Sequence, residues 1–157
     1  MTDLSRRAAL KGVGAGGLAA AAMAAGLLRP ADVLADWNKR AFESKTVSDA
    51  LRNLKVTAPI ESKDIAIRAP DIAENGAVVP IEIQSGVPGT RSLAVLIEKN
   101  PFPYVASFDL SQGALPFVAL RVKMGETSNV RVVVADAGGK FYTAAKEVKV
   151  TIGGCGG

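Results

Sequence analysis

From residue 60 onward the chain alternates apolar and polar residues with a period of two, and proline and glycine interrupt the pattern about every ten residues. That period admits strands and excludes long amphipathic helices, because only in a strand do successive side chains point to opposite faces. Strands are expected at DIAIRA, GAVVPIEIQS, RSLAVLIEK, YVASFDLS, FVALRVKM, NVRVVVAD, KFYTAA and EVKVTI. The turns between them use VPG, KNPFP, QGALP, MGETS and AGG. In one strand Ala119, Arg121 and Lys123 alternate with Val118, Leu120, Val122 and Met124; in another Val148, Val150 and Ile152 alternate with Glu147, Lys149 and Thr151. One face is dry and the other wet, so the expected fold is all-β, an antiparallel β-sandwich over residues 56–152.

The preceding stretch, DWNKRAFESKTVSDALRNL, carries a helical period instead. Trp37 and Ala41, Val47 and Leu51, and Ala50 and Leu54 lie four apart and make one apolar stripe. Thr46 with Asp49 resembles a capping box. A short helical segment is therefore expected over residues 36–55, covering an edge or a face of the sandwich.

The beginning of the chain reads as an address. SRRAALK, residues 5–11, sets paired arginines before the polar-free run GVGAGGLAAAAMAAGLL, and Arg29, Pro30 and VLA follow before Asp36. This is the pattern of a twin-arginine secretory leader, with Ala9 where phenylalanine is common. A membrane anchor is the other reading of the run, but glycine and alanine make it weakly hydrophobic and a small-residue cleavage pattern follows. The expectation is that residues 1–35 are removed after Ala35 and that the mature protein is periplasmic, with no membrane attachment. Of 19 basic and 15 acidic residues the leader holds four and two, which leaves a mature balance of +2. With no basic run either, nucleic-acid binding is not expected. The twin-arginine route moves folded proteins, so a small domain using it suggests export together with a partner that has no leader of its own.

Composition removes most chemistry. The chain has no histidine and one cysteine, so a histidine base, a thiolate metal cage, an internal disulfide and a Cys-His nucleophile are all excluded. No glycine loop precedes a βαβ unit, so a phosphate cradle is not expected. No catalytic, cofactor or metal site is expected. The wet-face charges Arg121, Lys123, Arg131 and Lys149 are compatible with an anion site, but solvated surface explains them more simply. The prolines of NPFP, residues 100–103, stiffen a loop beside Phe102 and Tyr104, which suits a protein interface or a plain turn equally.

The single cysteine stands in the last eight residues, VTIGGCGG. A solitary cysteine in an exported chain points to an intermolecular bond or a free reactive thiol. Burial is hard to arrange, since glycines flank Cys155 and offer no packing surface. Glycine also restricts the backbone least, so residues 153–157 form a flexible arm reaching roughly 10 Å beyond Ile152. An ordinary thiol, with a pKa of about 8.5, is only slightly ionised at pH 7. Lys146 and Lys149 on the last strand help little, and activation has to come from whichever enzyme receives the arm.

The terminal VKVTIGGCGG, together with AENGAVVPIEI, IEKNPFP and LRVKMGETS, resembles the SoxY family of sulfur carriers in the periplasmic thiosulfate-oxidising system. The resemblance implies an immunoglobulin-like sandwich with Cys155 as the covalent attachment point and Gly153, Gly154, Gly156 and Gly157 as the arm. It implies a SoxZ-like partner without an export signal, in a heterodimer. It also implies a c-type cytochrome complex that joins thiosulfate to the thiol, a hydrolase that releases sulfate, and a dehydrogenase that oxidises the remaining sulfane sulfur. Catalysis belongs to those partners, and no cofactor is expected beyond the sulfur held on Cys155. The partner surface is expected on the strands carrying Phe102, Tyr104 and the RVKM segment, residues 121–124. Two rivals remain: a ubiquitin-like carrier loaded at the Gly157 carboxylate, which a leader disfavours, and a periplasmic β-sandwich binding module whose tail cysteine only forms disulfides.

Overall fold

The computed structural model describes residues 38–111 and 113–153. The described residues all belong to one compact unit. The leader, Trp37, Gly154, Cys155, Gly156 and Gly157 lie outside the described residues.

Two short helices open the domain, α1 at Lys39–Phe42 and α2 at Val47–Asn53. The helical period of the sequence spans both without showing the break at residues 43–46. The break follows from capping: Asn38 Oδ1 accepts from the Ala41 amide at 3.1 Å, and Thr46 Oγ1 accepts from the Asp49 amide at 3.1 Å to start a second helix. Helix α2 stops in a Schellman turn, in which the Val56 amide reaches the Leu51 carbonyl at 2.9 Å and Lys55 takes φ 59°.

Among the described residues nine strands follow: β1 Ile60–Glu61, β2 Ile65–Arg68, β3 Ile72–Ala73, β4 Val79–Ser85, β5 Thr90–Ile97, β6 Tyr104–Asp109, β7 Phe117–Val122, β8 Ser128–Asp136 and β9 Phe141–Val150. They form the expected all-β sandwich. The larger sheet runs β1-β9-β8-β5-β6, with β3 also on β9, and the smaller runs β2-β4-β7. The sequence reading differs from this in three places. KFYTAA and EVKVTI are one strand, β9, paired with β8 from Ser128↔Val148 to Ala135↔Phe141. The two-residue strands β1 and β3, too short to show a period, pair parallel to β9 within an otherwise antiparallel array. Ile152 falls on the dry side of the alternation yet is 68% exposed, because β9 has already left the sandwich at Val150.

Burial explains the texture of the sequence. In β4 the pattern is strict, with Val79, Ile81, Ile83 and Ser85 buried and the residues between them exposed. Strands β5 and β8 instead read SLAVLI and VVVA because the larger sheet is covered on both faces. Leu93, Val95, Ile97, Val130, Val132 and Val134 face the smaller sheet. Leu96, Val133 and Tyr104 face the helices, packing with Ala41 and Ala50. Burying a valine, leucine or isoleucine side chain in this way stabilises the fold by roughly 1.5–3 kcal/mol. The helical segment thus covers the outer face of the larger sheet, and β9, in that sheet, delivers the C-terminus to one pole of the sandwich.

Candidate functional site

The last described residues, 150–153, are held from two sides. On the outer edge of β9, β3 pairs in register Ile72↔Lys149 and Ala73↔Val150. The pairing continues past the strand: the Thr151 amide donates to the Ala73 carbonyl at 3.1 Å, Thr151 Oγ1 to the Glu74 carbonyl at 3.0 Å, and the Gly76 amide to the Ile152 carbonyl at 2.7 Å. On the other side the Val150 amide donates to Thr127 Oγ1 at 2.9 Å. Gly153 then passes directly against Gly125, where a Cβ would overlap the Gly125 carbonyl oxygen. Glycine is needed there for close approach.

The loop at residues 123–127 that forms this wall is itself fastened. The Met124 amide donates to the Gly76 carbonyl at 2.7 Å, and the Met124 side chain is fully buried. Asn100 binds the same loop at two points, its Nδ2 donating to the Lys123 carbonyl at 2.8 Å and its Oδ1 accepting from the Gly125 amide at 3.0 Å. That pattern copies what a neighbouring strand would offer residues i and i+2. Ser128 Oγ adds a third tie, accepting from the Lys99 amide at 3.0 Å. Segments AENGA, KNPFP and KMGETS, far apart in the chain, thereby meet at the root of the tail.

The other predicted groups are placed as follows. Arg121, Lys123 and Lys149 are exposed. Arg131 is not available to a free anion, because its Nε donates to Glu98 Oε1 at 2.6 Å. Burial pushes the Glu98 carboxyl up, but hydrogen bonds from Asn129 and Arg131 and the Arg131 charge outweigh it and hold the group below the usual carboxylate value of 4.5. Lys146 is committed to the Ala69 carbonyl at 2.7 Å and to Asp71 at 3.0 Å, so it is not a spare cation for the tail. Tyr104 does not belong to a surface patch: it is 4% exposed, with its ring 4.3 Å from that of Phe42 beneath the helices. Phe102 is at the surface under Lys45 Nζ, 3.9 Å from the ring centroid. In RVKM, Val122 and Met124 are buried and only Arg121 and Lys123 face out. Asn100, Gly125 and Thr127, which hold the root, were not singled out by sequence reasoning; the signal for them was their position inside two of the segments that carry the resemblance, IEKNPFP and LRVKMGETS.

Among the described residues no set of acidic, histidine or cysteine side chains is grouped to hold a metal ion, and no helix is long and apolar enough to cross a membrane. Fold and root together define a β-sandwich whose terminal strand is followed by a segment gripped as far as Gly153, two residues before the cysteine. The family model for "Sulfur oxidation protein SoxY" matches residues 51–155, which takes in all nine strands and runs on as far as the cysteine. The solved structure of the sulfur carrier protein SoxY from Chlorobium limicola f thiosulfatophilum is 44% identical, covers 68% of this chain and 97% of its own, and superposes with a TM-score of 0.62. A superoxide reductase (neelaredoxin) from Ignicoccus hospitalis is 18% identical over 55% of this chain and 79% of its own, with a TM-score of 0.49, a likeness that carries nothing about chemistry. No curated protein matches. The chain belongs to the SoxY family.

Proposed function

We propose that this protein is a sulfur-carrier subunit that holds thiosulfate-derived intermediates on Cys155 and presents them to partner enzymes. The observation that carries the reading is the family match, which runs to residue 155 and so includes the chain's one cysteine. The root supports it: the chain is held as far as Gly153, two residues before the thiol.

In this reading the Cys155 thiol joins the sulfane sulfur of thiosulfate, forming an S–S bond while one proton and two electrons leave, the electrons going to the c-type cytochrome of the system. Water then cleaves the terminal sulfur–sulfonate bond on a hydrolase. Sulfate departs, and a persulfide remains on Cys155 for a sulfane dehydrogenase. The chain's part is to carry, since Lys146 and Arg131, the half-buried cations of the larger sheet, are both engaged elsewhere. The Gly154, Gly156 and Gly157 neighbours of Cys155 add no side-chain bulk, which suits entry into a narrow active-site channel. Export as a folded pair with a SoxZ-like subunit fits the twin-arginine pattern at residues 5–11 and a periplasmic location.

Cys155→Ser tests the assignment. Thiosulfate oxidation should be lost, with the unfolding free energy unchanged within about 0.5 kcal/mol. Oxidation that survives Cys155→Ser, but fails when the Gly157 carboxylate is blocked, would contradict the thiol carrier and favour a thiocarboxylate.

A further inference from the structure

The family segment IEKNPFP has no part in the chemistry just described, and the structure gives it one. We infer that Asn100 is a positioning residue for the carrier tail, acting through the 123–127 loop to fix where and in which direction the chain leaves the sandwich at Gly153. This rests on the carrier reading for its functional consequence, but not for its structural one.

The argument follows the hydrogen bonds outward. Asn100 is the only tie by which the Gly125 amide and the Lys123 carbonyl are both satisfied from one side chain among the described residues. Between those two positions Met124 is buried and bonded to Gly76, and Gly76 in turn is bonded to Ile152. Two positions further on, Thr127 Oγ1 takes the Val150 amide. The wall against Gly153 is the Gly125 carbonyl, on the residue whose amide Asn100 holds. Asn100 itself is fixed at the start of the NPFP loop by its amide, which donates to the Ile97 carbonyl at 3.1 Å, while the Ile97 amide donates to the Pro103 carbonyl at 2.8 Å. Strand β5 thus sets the loop, the loop sets Asn100, and Asn100 sets the collar around residues 150–153.

The shape of the collar matters for a carrier because the thiol is only two residues past Gly153. Loosening the root enlarges the volume the thiol samples and lowers the fraction of arms aimed at a partner's channel. Apparent affinity falls in proportion to the competent fraction, while the chemistry after docking is untouched.

The test compares wild type, Asn100→Ala, and Asn100→Asp, which keeps the acceptor for the Gly125 amide and loses the donor to Lys123. Native-state amide hydrogen exchange on the full mature chain should speed up about fivefold to tenfold at Gly125, Val150 and Gly76 in Asn100→Ala, less in Asn100→Asp, and not at all at Gly138 and Lys140 at the opposite pole. The hydrolase should show a raised KM for the loaded Asn100→Ala carrier with unchanged kcat, while alkylation of Cys155 by iodoacetamide keeps its wild-type rate. Exchange that rises equally at both poles, or tail-root exchange and KM that stay at wild-type values, would overturn the positioning role. Should Asn100→Ala fail to fold, Thr127→Val, which removes the acceptor for the Val150 amide, is read by the same criteria. A wild-type Cys155 that never acquires sulfur defeats the carrier reading alone, since the exchange arm still decides whether Asn100 holds the root.

Discussion

At the pole where β8 turns into β9, the bonds that shape the turn join near neighbours: Asp136 Oδ1 accepts from the Gly138 amide at 2.8 Å and the Lys140 amide at 2.9 Å. At the opposite pole, where β9 runs out into the tail, they reach across the chain. Val150 is tied to Thr127 over 23 positions, Asn100 to Gly125 over 25, and Thr151 to Glu74 over 77. A local turn needs only its own residues, whereas the tail root exists only when β3, the NPFP loop and the 123–127 loop are all in place. Such a root is a property of the folded domain alone.

The sharpest way to break the difference is Met124→Ala. It empties a fully buried site in the main core, beside the Met124 amide bonded to Gly76, and should cost about 3 kcal/mol by urea unfolding while speeding exchange first at Gly76 and Val150. Gly153→Ala comes next. Its Cβ meets the Gly125 carbonyl, so either the collar opens or the tail shifts, at about 2 kcal/mol, with the Ile152–Gly76 bond weakened in the amide spectrum and the β8–β9 turn untouched. The mirror experiment is Gly139→Ala, which forces a side chain into φ 77° and should cost about 1 kcal/mol without changing exchange at the tail root.

The smallest effect is a pH dependence. The folded-state pKa of Glu98 is depressed, so its contribution is fully present above about pH 4.5, the unfolded value, and is lost as pH falls below that through the folded value. Wild type should therefore lose about 1 kcal/mol or less between pH 5 and pH 3 relative to Glu98→Gln, seen as converging denaturation midpoints. Parallel midpoints over that range would remove Arg131–Glu98 from the account of the larger sheet.

Much of the fold was legible because it is periodic. The strict alternation of β4 and the buried side of β7 identify strands directly, and Thr46 and Asp49 identify the start of α2. Strands β1 and β3 were not legible, since two residues hold no period and their pairing is decided by β9. Sequence shows Tyr104 only as part of its loop; what buries it is a helix that begins some sixty residues earlier. The same limit governs the site. Cys155 and its glycines announce themselves by composition, but nothing local to Asn100 says that its side chain faces Lys123 and Gly125. The family was legible through resemblance, and the means of holding residues 150–153 only through the fold.

The account turns on sulfur bound to Cys155, and intact mass measures that directly. The mature protein would be taken from cells oxidising thiosulfate, without reductant, and weighed again after reduction. The account predicts heavier species that carry sulfur or sulfonate, map to the Cys155 peptide and disappear on reduction. An unmodified mass in actively oxidising cells, or a disulfide dimer as the one product, would contradict it.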